Sequence, residues 1–86
     1  MSTREHKRIQ DWLIVRTAVH TEQPADGIGP AVPLAELGVD SLVALALCGE
    51  IEDEWGVVVE PTLVFDHPTI ADIARHLHST MPRSAA

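Results

Sequence analysis

Apolar residues recur at Ile9, Trp12, Leu13, Val15 and Val19 with polar residues between them, and this spacing predicts an amphipathic helix from about Glu5 to His20. Ser2 and Glu5, three apart, have the arrangement of a capping box for its start. The periodicity then stops. The stretch TEQPADGIGPAVPLAELG holds three prolines and three glycines and reads as a long connection. So long a loop in so small a chain is expected to pack through its own Ile28, Val32 and Leu34. Pro33 followed by LAEL permits one short helical turn before Gly38.

Helical spacing resumes at Ser41 and runs to Trp55, with Gly56 as the left-handed stop. Ala44, Leu47, Cys48, Ile51 and Trp55 share one face, the expected core side. Leu42, Leu45, Ala46 and Gly49 share the opposite face near the end that carries Ser41, and Asp53 continues it. A domain of this size has difficulty burying both faces. The second is therefore a candidate contact surface, the alternative being that the long loop covers it.

VVVEP is too short and solitary to build a sheet, and Pro61 suits the first turn of a short helix through about Phe65. Asp66, His67 and Pro68 form a turn, with His67 expected to fix the start of the last helix. Thr69 and Asp72 give a second capping box. Ile70, Ile73, Ala74, Leu77 and Met81 form the stripe of a helix that ends before Pro82, beyond which PRSAA should fray. The pattern predicts an all-α domain of three main helices and a short one, one unit over residues 1–86 with an ordered core at about 5–80.

Composition narrows the function classes. Thirteen acidic residues against six basic ones give a net charge of −7. From Glu36 through Asp66 there are eight carboxylates and no Lys or Arg. That half carries a negative field, which repels nucleic acid and anionic membranes and attracts basic protein surfaces. A helix-turn-helix DNA reader would need a basic recognition helix, and residues 41–55 contain no basic side chain. With a single cysteine, Cys48, neither an internal disulfide nor a Cys-rich zinc cluster can form. No apolar run is long enough to span a bilayer and the N-terminus is too polar for a secretory signal, so the cytoplasm is the expected compartment.

Catalytic chemistry finds few candidates. GVDSL lacks the glycine two residues after the serine that a nucleophile elbow requires, and its likeness to the GDSL block of serine hydrolases is superficial. The five histidines, His6, His20, His67, His76 and His78, show no metal-ligand spacing, and there is no glycine-rich phosphate loop. Ser41 differs because Asp40 can cap the helix, which places the serine in the first turn. There the unsatisfied N–H groups and the helix dipole favour negative charge, so a phosphate ester on Ser41 would be stabilised.

ELGVDSLVALALCGEIEDEWGV and PTLVFDHPTIADIARHL closely resemble the acyl carrier proteins of polyketide and fatty acid biosynthesis and the wider carrier family that includes peptidyl carriers. The likeness covers nearly the whole chain and rests on two blocks in the same order, at residues 40–42 and 65–69. The resemblance implies a small four-helix bundle with a long first loop and a short third helix. It implies a 4′-phosphopantetheine arm attached to Ser41 by a phosphopantetheinyl transferase with coenzyme A as donor, Asp40 adjoining it, and no intrinsic catalysis. The arm's thiol would hold the cargo as a thioester.

Partners implied are a ketosynthase, an acyltransferase or other acyl-processing enzymes with basic docking surfaces. Leu42, Leu45, Ala46 and Gly49 would meet their apolar hollows, and Glu36, Asp40, Glu50 and Asp53 would pair with Arg or Lys at the rim. Carriers of the bacterial fatty acid type often present an acid and a larger apolar residue where this chain has Ala46 and Gly49. Its acids gather instead at EIEDE, and the ending resembles modular polyketide synthase carriers, so a polyketide cargo is expected. Met1 and the short tails suggest a discrete monomer. An aminoacyl-bearing peptidyl carrier and an unmodified helical interaction module are the alternative readings.

Overall fold

A computed structural model describes residues 3–80. Ser2, Met81 and the tail 82–86 lie outside the described residues, and with them the first capping box, the last member of the final stripe and the expected fraying. Helix α1 spans Thr3–Thr21. Ile9, Leu13, Thr17 and Ala18 are its buried residues, whereas Val15 and Val19, expected in the core, are 50% and 57% exposed. At roughly 100° per residue the buried arc is centred near Thr17, which puts Val15 and Val19 on the far side. A threonine at the middle of the arc breaks the apolar pattern, and the pattern then shifts onto the outward valines.

The connection from Glu22 to Asp40 packs as expected. Ile28, Leu34 and Leu37 are buried and Val32 rests against the core. It contains two 3₁₀ turns, Ala25–Gly27 and Leu34–Leu37, and the second ends on Gly38 in the left-handed region at φ 93°. A β-carbon is strained at such a φ, so glycine suits the position. Gln23 Nε2 donates to the Leu37 carbonyl at 2.6 Å. Further along the chain, Leu34 N–H donates to Pro68 O at 2.8 Å and Ala71 N–H to Pro30 O at 2.9 Å. These two bonds pin the loop to the turn that precedes the last helix.

Helix α2 has the expected bounds, Ser41–Trp55, and stops at Gly56, whose φ is 69°. Ala44, Leu47, Cys48 and Ile51 are buried and Trp55 is half-buried. The Trp55 ring meets Trp12 of α1 edge to face, with centroids 5.9 Å apart and planes at 86°, and the Arg8 guanidinium lies 5.9 Å from the Trp55 centroid. Burial pushes the Cys48 thiol above its ordinary pKa, with the Glu52 charge adding to the effect. The three valines 57–59 form no strand.

Helix α3 is one turn, Leu63–Asp66, and α4 is Ile70–Thr80. Asp72 N–H donates to Thr69 Oγ1 at 3.1 Å, which is the capping bond expected. The Asp72 carboxylate turns to Arg75 at 3.3 Å instead of closing the second half of the box. Ile70, Ile73, Ala74 and Leu77 are almost wholly buried, and α1 against α4 is the most extensive helix contact. Each such leucine or isoleucine contributes about 1.5–3 kcal/mol of transfer free energy. The fold is the all-α small bundle expected, with its core between α1, α2 and α4.

Candidate functional site

The start of α2 is built by a cap. Asp40 has extended backbone, and its Oδ1 accepts from Val43 N–H at 2.9 Å. Ala44 N–H begins the helical ladder by donating to Asp40 O at 2.8 Å. The N–H groups of Ser41 and Leu42 stay outside that ladder, at the end where the dipole is positive. Ser41 itself is exposed. A helix start of this kind favours a negatively charged group beside it.

Beside Ser41 is a hollow of about 350 Å³, lined largely by apolar groups of Pro33, Leu34 and Val39 from the loop and Val64, Phe65 and Pro68 from the α3 region, with Asp40 and Ser41 at its edge. Leu34 N–H to Pro68 O ties its two walls together. The residues present therefore fit a covalent arm: an accessible hydroxyl, a helix start for the phosphate, and an apolar recess within reach of a pantetheine chain. Sequence reasoning missed the recess. The residues were legible, but nothing in their spacing brings residues 33–39 against residues 64–68.

The apolar face beyond Ser41 is as uncovered as expected. Leu42 is 76% and Leu45 57% exposed, so the loop does not fold over them. Gly49 is exposed and a β-carbon there would meet nothing within 4 Å, while Ala46 is half-buried. Phe65, which ends the short helix, opens the 65–69 block and is not among the expected contact residues, is also 76% exposed, and it adds a large apolar group close to Ser41. Glu36, Asp40 and Asp53 are exposed carboxylates.

Glu50 is placed differently from the expectation. Arg16 of α1 donates to it twice, from Nε to Oε1 at 2.9 Å and from Nη2 to Oε2 at 3.1 Å, and His20 Nε2 lies 2.9 Å from Oε2. Burial works against its charged form, but the hydrogen bonds and charges of Arg16 and His20 outweigh it and hold the carboxyl below its ordinary range. Glu50 fastens α2 to α1 and does not stand free at a docking rim. The signal in the sequence was the spacing of Arg16 and His20, four apart and so on one face of α1.

No helix among the described residues is long and apolar enough to cross a membrane, and no group of three or more His, Cys, Asp or Glu among them could hold a metal ion. The family model described as a phosphopantetheine attachment site matches residues 12–77. The spectinabilin polyketide synthase system protein NorC of Streptomyces orinoci is 47% identical over 53 residues, 62% of this chain and 2% of that protein. The nonribosomal peptide synthetase SIDC of Beauveria bassiana is 43% identical over 53 residues, 62% of this chain and 1% of that protein. A free-standing peptidyl carrier protein of Acinetobacter baumannii superposes with a TM-score of 0.86 at 30% identity, over 90% of this chain and 96% of that one. This chain spans only 1% to 4% of the length of the curated relatives it matches. The chain belongs to the phosphopantetheine-attachment family, carriers that hold thioester intermediates on a covalent 4′-phosphopantetheine arm derived from coenzyme A and do not themselves catalyse.

Proposed function

We propose that Ser41 is the attachment point of the arm and that the arm carries an aminoacyl or peptidyl thioester between partner enzymes. The observation that carries the first part is the exposed Ser41 hydroxyl at the capped start of α2, beside an apolar recess. The transferase joins the Ser41 oxygen to the phosphorus of coenzyme A's pantetheine phosphate, and adenosine 3′,5′-bisphosphate leaves. Cargo then bonds to the terminal thiol, and the mobile tether raises its local concentration at each partner's active site. Coenzyme A as donor favours a cytoplasmic setting.

The cargo class is supported by the superposition on the peptidyl carrier, at a TM-score of 0.86 and 30% identity. A second reading, a polyketide acyl cargo, is favoured by the identity of 47% to a segment of NorC. Leu42, Leu45, Ala46, Gly49 and Phe65 form the apolar part of the partner surface, and Glu36, Asp40 and Asp53 supply its charge.

Incubation with coenzyme A, magnesium and a broad-specificity phosphopantetheinyl transferase tests the attachment. The intact chain should gain about 340 Da, and Ser41→Ala should gain nothing. No gain beside a control carrier that is modified, or a gain that survives in Ser41→Ala, overturns it. Loading of the modified chain by an adenylation enzyme with amino acids, set against acyltransferase loading with malonyl-coenzyme A, separates the two cargo readings.

A further inference from the structure

We infer that His76 is a positioning residue: stacked on His67, it fixes α3 and with it the wall of the recess beside Ser41. The two imidazoles lie with centroids 4.2 Å apart and planes within 22° of parallel. They link elements of unequal firmness. His76 sits on α4, whose Ile73, Ala74 and Leu77 are buried in the core. His67 ends α3, a single turn with only Leu63 buried and with Phe65 and Asp66 exposed.

One helical turn is not stable by itself, so the position of α3 depends on what grips it. Leu63 holds its beginning in the core, and His67 N–H donates back to Leu63 O at 2.8 Å. Past the turn, Pro68 O accepts from Leu34 N–H. Between those points the His67 ring is a side-chain grip, and α4 supplies the surface it rests on. Val64, Phe65 and Pro68, which it steadies, form one side of the recess. The grip runs from α4 through His76 to His67, which closes the turn that carries Val64 and Phe65.

Amide hydrogen exchange of the unmodified chain tests the grip without relying on the Ser41 reading. His76→Ala should speed exchange at Asp66 and His67 by about tenfold while Ile73 and Leu77 keep their protection. His76→Phe, which retains a flat ring, should restore it. Exchange in α3 that does not change in His76→Ala, or protection lost equally in α3 and α4, or failure of His76→Phe to restore α3, overturns the inference. A second readout rests on the proposed attachment at Ser41. His76→Ala should raise the KM of the chain as transferase substrate by several-fold at unchanged kcat, and His76→Phe should reverse the rise. An unchanged KM overturns the link from grip to recess, whereas an unmodified wild-type chain overturns the Ser41 reading and leaves the exchange result standing.

Discussion

Arg16 of α1 grips Glu50 of α2 through two hydrogen bonds, at 2.9 and 3.1 Å, and His20 completes the clasp from the next turn of the same helix. Glu50→Gln should therefore lower the Tm by a few degrees, whereas Asp53→Asn, on an exposed carboxylate, should leave it unchanged. The dependence on pH has a definite sign. The folded-state pKa of Glu50 is depressed, so its contribution is present above the unfolded value of about 4.3 and is lost as pH falls through the lower folded value. Urea unfolding of the two chains at pH 7 and pH 3 should show the difference shrinking in acid.

The Asp40 cap predicts a separable effect on the other end of α2. Asp40→Ala should cost about 1 kcal/mol of stability, and Asp40→Asn much less, because an amide oxygen can still accept from Val43 N–H. Urea titration measures this directly. The alanine variant should also be modified more slowly by the transferase, since Ser41 would sit on a frayed first turn.

Leu45 and Leu47 are two residues apart and should behave in opposite ways. Leu45, 57% exposed, should tolerate alanine with a stability change within about 0.5 kcal/mol, yet cargo transfer to partners should fall. Leu47, 3% exposed, should lose about 2–5 kcal/mol on truncation. Chemical denaturation paired with a loading assay distinguishes them.

Thr17 is 1% exposed and its hydroxyl oxygen has no hydrogen-bond partner. Thr17→Val replaces that hydroxyl with a methyl group and should stabilise the fold by about 1 kcal/mol. An increase in the urea midpoint with an unchanged slope would be the sign of it.

Thr17 also shows where the sequence was hard to read. The bounds and core face of α2 were legible because its end signals, Asp40 and Gly56, agree with its apolar spacing. On α1 a buried threonine shifted the apparent face, and two outward valines were counted inward. The candidate site divides in the same way. Ser41, its cap and the uncovered Leu42 and Leu45 follow from local pattern. The recess, the Glu50 clasp and the paired histidines each need residues 15 or more positions apart, or a turn of unknown direction, and no helical period encodes such meetings.

The edge-to-face pair of Trp12 and Trp55 carries a practical consequence. With two tryptophans and no tyrosine in the chain, its indole emission comes from that one place. Trp55 lies 14 residues along α2 from Ser41, about 21 Å at the helical rise. Emission therefore watches the α1–α2 seam come apart on unfolding and is blind to events at the serine. An observer of loading or docking needs a fluorophore placed near Phe65 instead.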